Sequence, residues 1–375
     1  MSIGIDTFAC DSGESGVGIY TTQLIKRMHS QGAHIELFGW AYDRYVFNEA
    51  MPDLHFIPCC RLNGYTANNL WHFLYYPGFA RKRGYTACFF PAAHKQIPFR
   101  SSCPSIGTVH DLAAFGRGPG TWERFKLARW FFRKAFSNLD RVITVSQWVK
   151  QELMDIANVK EDRIVVVPNG IDCNAFFPRP QNEESVIQIQ PFSFQRPYIL
   201  YVSRLEHPIK NHLRLIQAFT IFKDKTGYPH RLVLAGSDSQ GAATIKEAAG
   251  ESPYRSEIFF TDHFPSASLP ELNAGADFAV FPSMYEGFGL GILEAMASGV
   301  PVACALAASL PEAAGDAALY FDPLNVEEMA DRMVTLATDR AVARECRQRG
   351  LERSKVFSWD ACATRTLEII QETAR

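Results

Sequence analysis

Residues 281–301, FPSMYEGFGLGILEAMASGVP, constrain the fold of this chain more than any other stretch. An apolar run of β character, Ala279-Val280-Phe281, stops at Pro282-Ser283. A loop with Glu286, Gly287, Gly289 and Gly291 follows, and residues 292–297 read as a buried helix ended by Gly299 and Pro301. Strand, glycine turn and helix N-terminus, in that order, make an anion site. Glycine lets the backbone approach a ligand closely, and the first N–H groups of a helix point at negative charge. Two acids in this apolar stretch need another reason. A carboxylate beside a phosphate repels it, and an unpaired buried carboxylate is costly. Glu286 in the loop and Glu294 in the helix therefore suit hydroxyl groups. A ligand with phosphates in its middle and polyols at both ends, a nucleotide-sugar, fits that layout.

The same pattern recurs along the chain. Residues 2–6 read as a first strand, followed by a loop holding Gly16 and Gly18 and by helical spacing at Ile19, Leu24, Ile25 and Met28. Further strands are expected at 34–38, 54–57, 87–90, 105–109, 141–146 and 163–167, then at 198–204, 231–237, 258–261 and 278–281. Helices are expected over 147–158 and 213–223. Alternation of this kind argues for parallel, doubly wound α/β sheets. In such sheets ligands sit beyond the C-terminal ends of the strands, so His110, Asp111 and Arg204 occupy candidate positions. Asp111 is open to a second reading as a turn acid. Residues 177–197, with Pro178, Pro180, Pro191 and Pro197, read as a linker. Residues 122–138 read as a long helix bearing aromatic and basic side chains, and 65–85 has the same character.

The string Ser283, Tyr285-Glu286-Gly287-Phe288-Gly289 and Glu294-Ala295-Met296-Ala297-x-Gly299-x-Pro301 resembles the E-x7-E signature of retaining glycosyltransferases with the GT-B fold. It is most similar to glycosyltransferase family 4, and the resemblance runs along nearly the full chain. The resemblance implies two Rossmann-like, doubly wound parallel-sheet domains facing a central cleft. An N-terminal acceptor-side domain would span 1–177 and a nucleotide-sugar-binding domain 198–356, with a helix of about 357–375 packing back on the first. It also implies site roles. Arg204 and Lys210 would hold the donor diphosphate, Glu286 the donor sugar and Glu294 the nucleotide ribose. Gly16, Gly18, Gly236, Gly287, Phe288, Gly289 and Leu290 would line the donor, and His110 would position sugar or acceptor. Two cations from one loop can neutralise a pyrophosphate, which is the charge a metal ion would otherwise supply. No metal motif is read, and no cofactor is expected beyond the GDP- or UDP-linked donor.

Composition sets wider bounds. A length of 375 residues suits two domains, and 47% hydrophobic with 21% charged residues is ordinary for a soluble α/β protein. The net charge of −2 names no partner and offers no nucleic-acid footprint. Basic residues outnumber acidic ones over 1–180 and the reverse holds beyond, so the first half suits anionic membranes or acceptors. The nine Cys are odd in number and lack a C-x-x-C pair, which reads as reduced thiols. No signal pattern or membrane-spanning apolar run is read. The expectation is a cytoplasmic protein with peripheral contact at the inner face of the membrane.

The function so implied is retaining transfer of a hexose, with mannose favoured, from a nucleoside-diphosphate sugar to a saccharide or lipid-linked saccharide in polysaccharide biosynthesis. Two alternatives stand beside it. One is another GT-B enzyme, a sugar phosphorylase or nucleotide-sugar epimerase. The other is a non-catalytic sugar-nucleotide-binding subunit.

Overall fold

The computed structural model describes residues 1–11, 15–60, 65–113, 133–180, 186–189 and 192–375. They form two units: Met1–Gly170 with Ser358–Arg375, and Ile171–Phe357. The sequence expectation divides the chain into 1–177 and 198–356, with about 357–375 returning to the first domain.

The first unit is built on seven parallel strands: β1 (Ser2–Asp6), β2 (His34–Trp40), β3 (His55–Cys60), β4 (Ala87–Phe90), β5 (Ser105–Val109), β6 (Arg141–Thr144) and β7 (Ile164–Val166). Their order is β3-β2-β1-β4-β5-β6-β7, so the chain reverses its direction of travel between β1 and β4. β4 and β5 are buried at every position, as strands covered on both faces must be. The closing helix Trp359–Thr373 lies along the helix Gly16–Ser30 of the same unit. Arg27 Nε meets Asp360 Oδ1 at 3.0 Å there, and Gln31 Nε2 donates to Thr364 Oγ1 at 2.9 Å.

The second unit holds six parallel strands: β10 (Tyr198–Val202), β11 (Arg231–Ala235), β12 (Ile258–Phe260), β13 (Phe278–Phe281), β14 (Val302–Ala305) and β15 (Ala318–Phe321). The order β12-β11-β10-β13-β14-β15 puts the reversal between β10 and β13, which pair directly through Ile199–Phe278 and Leu200–Ala279. The helix Leu290–Ala297 follows β13 and buries Ile292, Leu293, Ala295, Met296 and Ala297. Each large side chain among these contributes roughly 1.5–3 kcal/mol. That burial anchors the loop preceding the helix.

Three features differ from the sequence expectation. Residues 177–197 are more than a linker, because β8 (Val186–Ile189) and β9 (Phe192–Gln195) pair antiparallel within them. Phe-Ser-Phe-Gln alternates at period two, as does Ile-Gln-Ile within β8, a signal that the surrounding prolines obscure. β14 and β15 were not anticipated; each is a four-residue apolar run beside a helix, where length does not separate strand from helix. Residues 65–85 form two helices, Tyr65–Leu74 and Tyr76–Arg83. Most of the helix expected over 122–138 lies outside the described residues.

Candidate functional site

In open α/β sheets the crevice for a ligand lies at the strand ends where the order reverses. In the second unit the loops after β10 and β13 flank that point. They are tied together by backbone. Met284 N donates to Ile209 O at 2.9 Å, and Asn211 Nδ2 donates to Pro282 O at 3.0 Å and to Pro323 O at 2.7 Å.

The side chains converge as well. Lys210 Nζ donates to Glu286 Oε1 at 2.6 Å, and Ser283 Oγ donates to the same oxygen at 2.8 Å. Tyr201 OH lies 2.7 Å from Ser283 Oγ and donates to Lys210 O at 2.9 Å. Ser309 Oγ donates to the Glu286 carbonyl at 2.8 Å, fixing the loop backbone. Arg204 stands apart: 69% of its side chain is exposed, and its ion pair with Glu206 is 3.3 Å long. Both cations read from sequence are paired with carboxylates, Lys210 closely and shielded from solvent, Arg204 more loosely and mostly in water.

Glu294 is the second acid of the motif. It sits in the helix Leu290–Ala297, partly buried, with no protein group bonded to its carboxylate among the described residues. Burial without compensation pushes its carboxyl up to about 7. An acid in that condition gains from any ligand that donates hydroxyl hydrogen bonds to it.

The helix Leu290–Ala297 starts at Gly289, whose φ of +104° is costly for any other residue, and no side chain caps its first N–H groups. The helix His212–Thr226 likewise starts without a side-chain cap, from Asn211 in the left-handed conformation. Two helix N-termini therefore present backbone donors beside the cations. Gly236 follows β11 at φ +151°, where a Cβ would fall 2.2 Å from the Ser203 carbonyl oxygen. Only glycine lets that turn close on the β10 loop. Gly287, in the loop after β13, and Leu290, the first residue of the helix that follows, are partly exposed. Phe288 is buried and packs edge-on against Phe357 at 5.5 Å. Its side chain thus belongs to the core, and the residue meets the loop through its backbone.

The remaining candidates lie in the first unit. His110 follows β5 and is buried, with its ring edge-on to Tyr20 at 4.5 Å. A carbonyl can only accept, so the 2.9 Å contact to Pro91 O fixes a proton on Nε2 and leaves Nδ1 as the ring's acceptor. Desolvation lowers the imidazole to about 3, so it is neutral near pH 7. Asp111 Oδ1 accepts from Ala113 N at 3.1 Å, which is the turn role. Gly16 opens the helix Gly16–Ser30, and Ser15 caps it by accepting from Gly18 N at 3.2 Å. The second unit's candidates gather at one switch point; His110, Gly16 and Gly18 belong to the other unit.

Sequence reasoning did not single out Tyr201, Asn211 or Ser309. Each acts through a tertiary contact that has no local signature. Ser283 stood inside the matched string, so a signal existed there.

Two family models divide the chain between them: "Glycosyltransferase Family 4" matches residues 15–175, and "Glycosyl transferases group 1" matches residues 182–353. The O-antigen chain mannosyltransferase B of Escherichia coli is 32% identical over 268 residues, which are 70% of this chain and 69% of that protein. The serotype-specific mannosyltransferase WbdA of Escherichia coli is 29% identical over 248 residues, 64% of this chain but only 30% of that longer protein. Among solved structures, sucrose-phosphate synthase from Thermosynechococcus elongatus matches with a TM-score of 0.79 at 20% identity, covering 99% of this chain and 98% of that one. Anabaena Alr3699/HepE in complex with UDP and glucose matches with a TM-score of 0.76 at 17% identity, covering 99% of this chain and 100% of that one. At such identities the structural likeness is one of fold. With two parallel-sheet units, both family models and the Escherichia coli relative in agreement, the chain belongs to the glycosyltransferases of family 4 and has the GT-B fold.

Proposed function

We propose that the protein transfers a hexose, with mannose the first choice, from a nucleoside-diphosphate sugar to a saccharide or lipid-linked saccharide. The transfer retains anomeric configuration, needs no metal ion and serves polysaccharide biosynthesis. The observation that carries this reading is the Lys210–Glu286 pair at the switch point, with Glu294 unpartnered eight residues on. Mannose comes first because the relatives at 32% and 29% identity are named mannosyltransferases.

In this reading Arg204 and Lys210 take the diphosphate, Glu286 accepts from donor-sugar hydroxyls and Glu294 from the ribose. The bond between the anomeric carbon and the diphosphate oxygen breaks, and its electron pair leaves with the nucleoside diphosphate. Charge grows on that group, where two cations and two helix N-termini oppose it. The acceptor oxygen bonds to the anomeric carbon from the face the diphosphate leaves, and its proton passes to a diphosphate oxygen. His110, neutral with Nδ1 as acceptor, suits orienting a hydroxyl better than storing a proton.

The test is incubation with GDP-mannose or UDP-glucose and a mannose-terminated oligosaccharide, with excess EDTA. Release of nucleoside diphosphate with an α-linked product supports the reading. A β-linked product, activity restored only by manganese or magnesium, or a donor sugar epimerised without any acceptor would overturn it.

A further inference from the structure

Glu286 and Lys210 are each held by groups that no ligand reaches. Ser283 is 0% exposed and Tyr201 is 1% exposed, yet their hydroxyls lie at the centre of the charged cluster. We propose that Ser283 and Tyr201 are positioning residues that hold Glu286 and Lys210 in one arrangement for the donor. This rests on the reading of those two charged groups as donor-binding.

Proton counting gives the network a direction. A serine hydroxyl has one proton, and the Glu286 carboxylate, at 2.8 Å, takes it. Between Ser283 and Tyr201, 2.7 Å apart, the tyrosine is then the donor. Its single proton is shared with the Lys210 carbonyl at 2.9 Å, so one phenol orders both loops. Burial pushes that phenol's ionisation up, which keeps it a donor. The Tyr201 ring is itself fixed from behind by the His212 ring, 4.9 Å away.

The arrangement explains how the site tolerates losing its ion pair. In the free protein Lys210 neutralises Glu286. When a diphosphate draws Lys210 away, the carboxylate keeps the Ser283 hydrogen bond and stays aimed. Lysine and serine both bond Oε1, so Oε2 keeps its acceptor capacity for a sugar hydroxyl.

The test compares Ser283→Ala, Ser283→Thr, Tyr201→Phe and Glu286→Gln with wild type, using hydrolysis of GDP-mannose and of UDP-glucose as turnover and calorimetry with GDP and UDP as binding. Ser283→Ala should lower kcat about 10- to 100-fold, the worth of a hydrogen bond to a charged group. Nucleoside diphosphate affinity should stay within about twofold, because Glu286 faces sugar rather than phosphate. Ser283→Thr, which keeps the hydroxyl, should recover most of the loss, and Tyr201→Phe should cost less than Ser283→Ala. Unchanged kcat in Ser283→Ala alongside an impaired Glu286→Gln overturns the positioning role and spares the site. A threonine variant no better than alanine overturns it too, since only shape would then matter. Wild-type turnover in Glu286→Gln brings down the reading of the site itself.

Discussion

Lys210 and Glu286 reach each other at 2.6 Å from loops that follow neighbouring strands, and each is mostly shielded from solvent. Arg204, by contrast, spends most of its surface in water. The two cations should therefore separate in their effects. Lys210→Ala leaves a shielded carboxylate without its counter-ion and should cost about 1–2 kcal/mol of stability. Arg204→Ala should change stability by less than about 0.5 kcal/mol. Both should lower transfer by roughly 100-fold or more, since each faces charge that grows in the transition state. Thermal unfolding beside steady-state kinetics tests this. Full activity in both variants places the diphosphate elsewhere.

Glu294 supplies a pH signature. Its carboxyl is raised from 4.5 to about 7, so the folded protein binds a proton there that the unfolded chain has released. Stability from this group is present at low pH and lost as pH rises from about 4.5 through 7. Ribose hydroxyls favour the ionised form. Affinity for GDP or UDP should therefore tighten as pH rises from 6 to 8, with proton release on binding. Glu294→Gln should abolish that slope and weaken binding about tenfold or more. Calorimetry in buffers of different ionisation enthalpy reads the proton directly. A flat wild-type profile contradicts the ribose role.

Three buried imidazoles act in the other direction. His94, His110 and His212 are each lowered to about 3 by burial. The unfolded chain takes up protons on them below about 6.5, so their contribution is complete above that pH and is lost on acidification. Three such groups outweigh the single opposing carboxyl. The melting temperature should fall steadily between pH 6.5 and 5. His212→Phe should flatten the fall, because the His212 ring is buried and packs on Tyr201, where a phenyl ring fits without a titrating group. A melting temperature that is constant over this range would contradict the neutral buried state.

The second sheet's central strands and its site loops were legible because their signals are local. β13, the glycine turn and the helix after it are written in consecutive residues, and so is the step from β10 to Arg204. What stayed hidden is tertiary. Nothing near Lys210 in the chain says that Glu286, 76 positions away, neutralises it. The same holds for Asp6 and His72 in the first unit, buried and joined at 2.5 Å across 66 positions. Phe288 adds a contact the motif does not spell out, because its ring packs against Phe357, 69 positions on, while its backbone stays in the loop.

The basic surface of the first unit carries the last prediction. Leu70, Phe73, Leu74 and Tyr75 are each more than half exposed around the end of the helix Tyr65–Leu74. Arg81 and Lys82 are exposed on the helix that follows. Arg83 differs: it pairs with Glu36, which also accepts from Tyr85 and meets His55 at 2.6 Å. Reversing its charge would dismantle that cluster, so the informative variants are Arg81→Glu with Lys82→Glu, and Phe73→Ser with Tyr75→Ser. Among the described residues no helix is long and apolar enough to cross a membrane. The contact proposed for this face is that of an interfacial helix. Each cation near anionic lipid contributes about 1 kcal/mol, and the aromatic rings add apolar burial. Cosedimentation should show binding to phosphatidylserine vesicles at low salt and much less to phosphatidylcholine. The charge variant should lose the lipid preference, the aromatic variant should lose affinity for both, and neither should alter GDP or UDP binding. Equal, negligible sedimentation with both lipids at low salt would instead mean that this face meets only water and that the acceptor arrives from solution.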